Sequence, residues 1–259
     1  MLTADPIEQA ARHLLHARQT GQPGPRLPES CRPAAPDDAL AIQRRVQALL
    51  GARTGGWKCS LPAPERPVSF APIFGASIVR ASPCSAPARA GVARIEPEVA
   101  FVLGRDLAAR AEHYRENEVR AAIAEVRLVL EILGSRYADP GEVAFTELLA
   151  DQVSNAGLFI GPRLDDAFAH DLEGFPIAVD TSSAALHRRD GRHPDGHPLR
   201  PLVWLASYLA RHADAGQLRA GHIVTTGSYA GALEVPVGIP LRVTLGALGA
   251  IEVELTPAR

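Results

Sequence analysis

Lysine is nearly missing from this chain. Among 27 basic residues only Lys58 is a lysine, so a single primary amine side chain stands among arginines. A lysine can move a proton or neutralise an anionic group at a site. Its rarity has a second explanation, a compositional bias toward alanine, arginine and proline, in which Lys58 is an exposed strand residue.

Cysteine is also scarce. The chain has three, Cys31, Cys59 and Cys84, an odd number without the spacing of metal ligands. This pattern excludes a disulfide framework and a cysteine metal site. It predicts a reduced, cytoplasmic setting, in which Cys59 faces away from Lys58 into the core.

Long apolar runs and an excess of one charge are absent as well. The first residues lack the basic and apolar regions of a leader, and no uncharged apolar run reaches membrane length. With a formal net charge of −2, the composition indicates neither a membrane nor a nucleic-acid partner. Glycine-rich phosphate loops, G-x-S-x-G elbows and internal repeats are also absent.

The chain does have enough apolar residues for one large domain, since 46% of its 259 residues are hydrophobic. Apolar residues at helical spacing predict helices over 5–18 and 37–50. These helices form an N-terminal arm, residues 1–56, before a β-rich catalytic body, residues 57–259. Short strands at irregular spacing favour an α+β fold with a mixed β-body over a doubly wound parallel sheet.

Further expectations concern parts of the body. The proline-rich segment 62–91 is expected to follow an irregular extended path. A short helix is expected at 116–125, and Asp190-Gly191 is expected to close a hairpin, with Asp195-Gly196 as a second candidate turn. The histidines of this polar region are expected to be solvated and without a role: His187, His193 and His197.

The segment 94–104 carries two carboxylates inside an apolar stretch. On a strand, Glu96 and Glu98 lie on one face, roughly 6.5–7 Å apart at the backbone, because each residue rises about 3.3 Å. Pro97 between them has no ladder donor, which indicates an edge, a strand start or a bulge. Like charges so placed repel each other, and a divalent cation is their simplest partner. The alternative is an ordinary strand with a solvated acidic face.

A third carboxylate, Glu131, lies in the middle of V-L-E-I-L, where a plain core strand would be apolar. Three carboxylates can hold one Mg²⁺ or Mn²⁺ and leave positions for substrate and water. Glu96, Glu98 and Glu131 together therefore form the predicted metal site.

Four blocks of the sequence resemble a known family. They read I-E-P-E-V-A-F-V-L-G-R-D-L, L-E-I-L-G-S-R-Y-A-D, D-Q-V-S-N-A-G-L-F-I-G and A-G-H-I-V-T-T-G-S-Y-A-G-A-L. In this order and spacing the chain resembles the 2-keto-4-pentenoate hydratase family. That family also includes 4-oxalocrotonate decarboxylases and belongs to the fumarylacetoacetate hydrolase superfamily. The likeness extends from the helical arm to the last strand pair.

The resemblance implies a fold and a cofactor. The fold is a fumarylacetoacetate hydrolase-like mixed β-roll with an N-terminal helical arm and peripheral helices, assembled as a homo-oligomer. The cofactor is a divalent metal, Mg²⁺ or Mn²⁺, held by three acidic side chains that fall on Glu96, Glu98 and Glu131.

The resemblance also implies a hydration, as in a lyase of aromatic catabolism. A 2-hydroxy-2,4-dienoate would tautomerise to its conjugated ketone and take up water, while the cation stabilises the enolate. Lys58, within the family pattern G-[YW]-K, is the implied catalytic residue. Ser154, Thr226 and Gly227 match positions expected to bind the substrate.

The chain departs from that family in segment 72–80. Hydratases of the family carry P-D-[FY]-G and then a further aspartate proposed as the base, whereas this chain has Ile73 and Arg80 at those positions. The resemblance therefore also admits a decarboxylase, an isomerase or a C–C hydrolase of a related 2-oxo acid. A non-catalytic scaffold homologue is the alternative from another class. In each catalytic case the partner is a small 2-oxo or 2-hydroxydienoic acid.

Overall fold

The computed structural model describes residues 1–258, which form five α-helices and fourteen β-strands. The helices span Ala4–Thr20 (α1), Pro36–Leu50 (α2), Glu116–Arg120 (α3), Phe145–Ala150 (α4) and Leu199–Arg211 (α5). The strands span Thr54–Cys59 (β1), Phe70–Phe74 (β2), Ile78–Val79 (β3), Cys84–Ala86 (β4), Ala88–Arg89 (β5), Val92–Leu103 (β6), Ile123–Leu133 (β7), Asn155–Leu164 (β8), Gly174–Asp180 (β9), Ala185–Arg192 (β10), Ile223–Thr225 (β11), Leu233–Pro236 (β12), Pro240–Leu245 (β13) and Gly249–Pro257 (β14). None of these helices has the length and apolarity needed to span a bilayer.

The strands form two sheets that share one hydrophobic core. Nine strands make the larger sheet, in which β2-β1-β11-β6-β7-β8-β3 is the main path and both β5 and β12 pair with β6. Five strands make the smaller sheet in the order β10-β9-β13-β14-β4. Parallel pairs such as β1 with β11 stand among antiparallel ones. The predicted α+β fold with a mixed β-body is confirmed.

The long strands β6 and β7 separate their side chains onto two faces. One face carries the apolar residues that enter the core: Ile95, Val99, Phe101, Leu128, Leu130 and Ile132. The opposite face carries Glu96, Glu98 and Glu131 beside a smaller apolar cluster that includes Ala100 and Val129. This is the alternation that the sequence pattern predicts for strands.

Pro97 lies within β6 rather than at an edge, a strand start or a bulge. On one side of β6, β12 pairs with residues 92–95 and β11 pairs with residues 100–102. Pro97 falls in the gap between these two partners, so its missing N–H interrupts no ladder bond. Its carbonyl faces the same gap and accepts the N–H of Tyr229 at 3.3 Å.

Helices α1 and α2 pack together and with α4 over a second, smaller core. Its buried residues include Ala11, Leu14, Ile42 and Val46 of the two helices and Tyr137 of the body. Both helices lie within two residues of their predicted bounds. Strand β1 begins at Thr54, a little before residue 57, and the division into an arm and a catalytic body stays a prediction.

The segment 62–91 is less irregular than expected, because it contains β2, β3, β4 and β5. Strands β2 and β3 end the path of the larger sheet, and β4 ends the smaller one. A proline is tolerated in such outer strands because its missing N–H need not meet a partner, as for Pro72 in β2.

Two other expectations were wrong in their limits or place. The helix expected at 116–125 ends at Arg120, and β7 begins at Ile123. Asp190-Gly191 closes no hairpin, since both residues pair with β9 inside β10. The chain turns instead at 181–184, where the Thr181 hydroxyl accepts the N–H of Ala184 at 3.0 Å. The second candidate, Asp195-Gly196, does lie in a turn.

Candidate metal centre

The register between β6 and β7 places three carboxylates side by side. Glu96 lies directly opposite Glu131 in the ladder, and Glu98 follows two residues along the same face. One carboxylate oxygen of each residue lies within 4.8 Å of the other two. A single Mg²⁺ or Ca²⁺ holds its oxygen ligands at about 2.0–2.6 Å, so this spacing suits one shared cation.

The electrostatics of this cluster are unfavourable without a cation. Glu98 is 1% exposed, and burial together with the charges of Glu131 and Glu96 raises its pKa well above the usual range. Burial and the Glu131 charge also raise the pKa of Glu96. The charge of Lys58 opposes this rise, as does the Gly227 N–H, which donates to Oε2 of Glu98 at 3.1 Å. The same oxygen accepts the Thr225 hydroxyl.

Glu131 is completely buried and only half satisfied. Its Oε1 accepts the Lys58 ammonium at 2.6 Å and the side-chain amide of Asn155 at 2.8 Å. Its Oε2 is buried and has no hydrogen-bond partner among residues 1–258. A buried carboxylate oxygen without a partner costs free energy that a bound cation would recover. The donor set therefore fits a divalent metal held by Glu96, Glu98 and Glu131.

Lys58 lies on the same face as the carboxylates. In the ladders it is paired with Thr225, which in turn is paired with Ala100 of β6. Its side chain is 13% exposed, and besides Glu131 its ammonium reaches the carbonyl of Val153 at 3.1 Å. Burial alone would lower the pKa of Lys58, but the nearby glutamate charges outweigh burial and raise it. Lys58 is thus a largely buried cation rather than an exposed strand residue.

The turn before β8 presents the Val153 carbonyl to Lys58. Its three residues, Gln152, Val153 and Ser154, all have left-handed backbones, with φ of 54°, 50° and 61°. This conformation is strained for a β-branched valine. The Gln152 side chain anchors the turn by donating to the Pro72 carbonyl at 3.0 Å. Such local strain is typical of functional sites.

Ser154 itself is not among the residues that line the cleft beside the carboxylates. Its N–H donates to the Asp151 carbonyl at 3.1 Å, and its carbonyl accepts the N–H of Gly134 at 2.8 Å. The next residue, Asn155, supplies the amide that holds Glu131. Substrate binding by Ser154 stays a prediction. The polar contact to the carboxylates is made by its neighbour, Asn155.

The two threonines of the T-T-G-S block point in opposite directions. Thr225 directs its hydroxyl at Glu98, whereas Thr226 is fully buried with its hydroxyl 3.4 Å from Nε2 of His193. Gly227 lies at the cleft. Substrate binding by Thr226 and Gly227 stays a prediction, for which Gly227 has the suitable position.

Gly227 allows the backbone to approach the carboxylates closely. Its φ is 131°, and a Cβ there would lie 3.0 Å from a ring carbon of Pro194. A side chain at this position would therefore meet both a strained backbone and a packed proline. The absence of a side chain leaves the N–H free to reach Glu98.

His193 is not solvated, contrary to the expectation for this region. It is 5% exposed, and burial lowers its pKa to about 4. Its Nδ1 accepts the N–H of Asp195 at 3.2 Å, so Nε2 carries the proton and points at Thr226. His193 is therefore a neutral residue that supports the T-T-G-S loop from behind.

The carboxylates open into a cleft of about 230 Å³. This is smaller than the roughly 300–1,000 Å³ typical of sites for drug-sized ligands, so the cleft suits a small molecule. The lining residues come from β1, the 60–69 loop, β2, β6, β7 and the segments around Val153, Pro194 and Gly227: Lys58, Cys59, Ser60, Arg66, Ser69, Phe70, Glu96, Glu98, Glu131, Val153, Pro194, Gly227, Ser228 and Gly231.

The two positions that lack the family aspartates lie outside this lining. Ile73 is fully buried in the apolar cluster with Val129 and Leu158. Arg80 is exposed just after β3. In the part of the chain that the structure describes, no carboxylate other than the three glutamates lines the cleft.

Several site residues were missed in the sequence. Thr225 and Asn155 contact the carboxylates, yet each stands beside the residue that the resemblance selects. Strand alternation along 223–226 was a usable signal for Thr225, because only one threonine of the pair can face Glu98. Nothing in the sequence indicated that Ser60 and Arg66 would line the cleft.

Comparisons with known proteins agree with this architecture. A 2-keto-4-pentenoate hydratase from Paraburkholderia xenovorans (strain LB400) is 29% identical over 98% of this chain and 96% of its own. The 2-keto-4-pentenoate hydratase 2 of Dechloromonas aromatica (strain RCB) is 28% identical over 93% and 94%. Among solved structures, the 4-oxalocrotonate decarboxylase from Pseudomonas putida G7, complexed with magnesium and adipate, has a TM-score of 0.81 at 20% identity, with 99% of each chain covered.

A more distant structure shares the fold over less of the chain. The fumarylpyruvate hydrolase from Pseudomonas aeruginosa, in complex with Mn²⁺ and pyruvate, has a TM-score of 0.54 at 17% identity over 80% of this chain and 91% of its own. Residues 45–256 match the family described as fumarylacetoacetate (FAA) hydrolase C-terminal, which is most of the chain. The chain therefore belongs to the fumarylacetoacetate hydrolase family and has its fold.

Proposed function

We propose that this chain is a divalent-metal-dependent lyase, a hydratase of a short 2-oxo-4-enoate or its 2-hydroxy-2,4-dienoate tautomer. The observation that carries the proposal is the buried Oε2 of Glu131, which has no hydrogen-bond partner within residues 1–258. Two more carboxylates lie beside it. Three carboxylates face one ammonium, that of Lys58, so the cluster has two excess negative charges. Mg²⁺ or Mn²⁺ on Glu96, Glu98 and Glu131 would neutralise both.

The substrate class is supported by the relatives and by the size of the cleft. Relatives named 2-keto-4-pentenoate hydratase match nearly the whole chain, and solved structures of the same fold contain magnesium or manganese with small acids. A cleft of about 230 Å³ accommodates a small 2-oxo acid of the kind formed in aromatic catabolism. A bound divalent cation would supply Lewis-acid stabilisation of negative charge at the 2-oxo acid head.

Lys58 is the proposed catalytic residue. An ammonium has three N–H donors, and two of them meet Glu131 and the Val153 carbonyl. The third is available to the substrate, so Lys58 can donate a proton to a substrate carbon or neutralise the substrate carboxylate. The charges of Glu131 and Glu96 keep the ammonium charged. The contacts to Glu131 and Val153 fix its position. Gly227 and Ser228 border the cleft and are the proposed contacts of the substrate carboxylate.

Decarboxylation of a related 2-oxo acid is the second candidate. It is favoured by one observation, the fully buried Ile73 in place of the aspartate that the hydratase resemblance expects. Water addition benefits from a side-chain base, and the carboxylates that line the cleft are those of the proposed metal site. Loss of CO₂ to a stabilised enolate needs no such base.

Turnover distinguishes these candidates. We expect 2-hydroxypenta-2,4-dienoate with Mg²⁺ or Mn²⁺ to lose its dienol absorbance and to yield 4-hydroxy-2-oxopentanoate. Release of CO₂ from 2-oxohex-3-enedioate, without hydration of the dienoate, would support the decarboxylase instead. No metal-dependent turnover of either acid, together with a metal-induced rise in melting temperature, would favour a non-catalytic scaffold and overturn the proposal.

Three further expectations stay predictions: the oligomeric state, the cellular location and the division into an arm and a body. A homo-oligomer can be tested by light scattering of the purified chain, and the cytoplasmic location by fractionation of cells. The arm at 1–56 and the body at 57–259 can be tested by limited proteolysis, which should cleave between α2 and β1 first if the arm is a separate unit.

A further inference from the structure

The turn before β8 is strained, and the proposed chemistry does not explain what holds it. Gln152, Val153 and Ser154 follow one another with left-handed backbones. Residues other than glycine keep such a conformation only where the surrounding structure imposes it, and such positions are concentrated at functional sites. The contacts at the two ends of the turn therefore decide whether the groups it presents stay in place.

Arg136 bonds both ends of this turn from the segment that follows β7. Asp151 precedes the three left-handed residues, and Asn155 follows them. The Arg136 guanidinium pairs with the Asp151 carboxylate and donates to the Asp151 carbonyl. It also donates to the Asn155 carbonyl at 2.8 Å, and the Arg136 N–H donates to the Asp151 carboxylate at 3.0 Å. One side chain thus connects the start of the turn to its end.

The pair of Arg136 and Asp151 is buried outside the site. Arg136 is 5% exposed and Asp151 is 2% exposed, and neither residue lines the cleft. Desolvation of a buried ion pair can exceed the attraction between its charges, so stability alone is a weak reason for such a pair. A requirement for position explains it better, because a planar guanidinium presents its donors in fixed directions.

The turn presents two groups to the proposed site. The Val153 carbonyl accepts the Lys58 ammonium at 3.1 Å, and the Asn155 side-chain amide donates to Glu131 at 2.8 Å. Lys58 and Glu131 in turn bond each other at 2.6 Å. A displacement of the turn would therefore move a partner of the ammonium and a partner of the carboxylate together.

We infer that Arg136 is a positioning residue for this site. By bonding both ends of the left-handed turn, it fixes the Val153 carbonyl on Lys58 and the Asn155 amide on Glu131. Arg136 acts only through the turn, because it does not line the cleft. The consequence for turnover rests on the proposed function, whereas the position of Lys58 can be measured without any substrate.

Replacing both members of the pair tests the inference without leaving a buried charge unpaired. Arg136→Met with Asp151→Asn removes one charge of each sign, and the new side-chain amide can still accept the N–H at position 136. Buried ion pairs are often replaced at little cost in stability. We therefore expect this double variant to melt within about 5 °C of the wild type.

Lys58 is the only lysine of the chain, so reductive methylation with isotope-labelled formaldehyde gives one side-chain signal that reports on it. Its side chain is 13% exposed and is bonded to Glu131 and Val153, which should make methylation slow in the wild type. In the double variant the reaction should be faster by about tenfold, which corresponds to the loss of one hydrogen bond to a charged group. At saturating Mg²⁺, kcat should fall by about as much with little change in KM.

The control is Arg26→Met with Glu147→Gln, the same exchange at a neighbouring ion pair. Arg26 and Glu147 bond each other, and Glu147 accepts the N–H of Ala144, outside the turn. This control should methylate and turn over as the wild type does, even if it melts lower. Arg136→Lys is a second variant that keeps the charge beside Asp151 but not the guanidinium geometry. Its Lys58, followed in its own peptide by mass spectrometry, should also be methylated faster.

The possible results separate the inference from the proposed function. Wild-type methylation rates in both Arg136 variants would overturn the inference, and so would equal acceleration in the control, which would indicate general loosening. Faster methylation in the Arg136 variants only, with wild-type kcat, would deny Arg136 a part in catalysis. The same methylation result with no turnover in any of the proteins, the wild type included, would overturn the proposed function and support the positioning of Lys58.

Discussion

Glu131 is the residue at which the requirements of folding and of the proposed function conflict most clearly. It stands in a buried strand, where a carboxylate is costly unless both oxygens have partners. Lys58 and Asn155 satisfy one oxygen, and the other is left without a partner among residues 1–258. A residue kept only for stability would be apolar here, as Leu130 and Ile132 are on either side.

Replacing Glu98 by glutamine should separate stability from metal binding. The amide oxygen can still accept the Thr225 hydroxyl and the Gly227 N–H, while one buried negative charge disappears. We expect the metal-free variant to be more stable than the wild type by about 1–3 kcal/mol. The rise in melting temperature that Mg²⁺ gives the wild type should vanish, and activity with it.

Glu112→Gln is the matched control for this change, because Glu112 is exposed and does not line the cleft. It should keep both the activity and the metal-induced rise. Retention of that rise in Glu98→Gln would show that Glu98 is not a ligand.

Replacing Lys58 by methionine should affect stability and catalysis in a different pattern. Glu131 would lose its ammonium partner, and the metal-free protein should be destabilised by about 3 kcal/mol. Mg²⁺ should bind at least as tightly, because a neighbouring positive charge is gone. Turnover should fall by at least about hundredfold.

Lys58→Arg serves as the comparison for the methionine variant. It restores the charge, and with it part of the stability, but a planar guanidinium does not reproduce the position of the ammonium. Wild-type turnover of Lys58→Met, measured at saturating Mg²⁺, would exclude Lys58 as the catalytic residue.

Stability should also respond to pH through the glutamates. Burial and like charges raise the pKa of Glu96 and Glu98 in the folded, metal-free chain. At these two positions the folded state therefore binds more protons than the unfolded chain, so their contribution to metal-free stability is greatest at low pH and falls as pH rises through the folded pKa values. Because protons and the cation compete for the same oxygens, the Mg²⁺-induced rise in melting temperature should be larger at pH 8 than at pH 5.5. An equal rise at both values would contradict carboxylate coordination.

At the scale of elements, helix α1 reaches the proposed metal centre through one turn. Arg18 of α1 donates to the Gln152 side chain and, at 3.3 Å, to the Asn155 carbonyl. The same turn directs Val153 at Lys58 and Asn155 at Glu131. A helix at the N-terminus thus supports groups that touch the proposed catalytic lysine and a proposed metal ligand.

Arg18→Met should reveal this coupling. Loss of the two donors should lower the free energy of unfolding by about 1–3 kcal/mol and weaken Mg²⁺ binding or turnover by about tenfold. Arg12→Met is the control on the same helix, since Arg12 makes only an exposed pair with Glu8 and should change little. Calorimetry and steady-state kinetics on both variants test this coupling. Equal effects of the two substitutions would show that Arg18 has no positioning role.

The elements also show which parts of the site could be predicted. The period of two in β6 and β7 determines the faces, so the sequence alone predicts that Glu96 and Glu98 share a side. The ladder that sets Glu131 opposite Glu96 is a tertiary contact, and its register could not be predicted in this way. The left-handed turn at 152–154 was hidden for a further reason, because nothing in a valine indicates a positive φ.

At the scale of the whole molecule, apolar content and strand spacing predict an α+β fold with a helical arm. The resemblance supplied the family. Local signals failed where tertiary pairing decided the outcome, as at Asp190-Gly191, which lies inside a strand, and at His193, which is buried behind Thr226. The 60–69 loop became part of the cleft only through folding, since Asp195, which accepts the Leu61 N–H and anchors the loop, is far away in the sequence.

One measurement tests the central claim, that Glu96, Glu98 and Glu131 bind a single divalent cation. It is the anomalous diffraction of a crystal soaked with Mn²⁺ and oxalate, recorded near the manganese edge. We expect one strong peak per chain between the three carboxylates, with Oε2 of Glu131 among its ligands. A fully soaked crystal that shows no peak there, or that shows Mn²⁺ bound only by other residues, would contradict the metal centre.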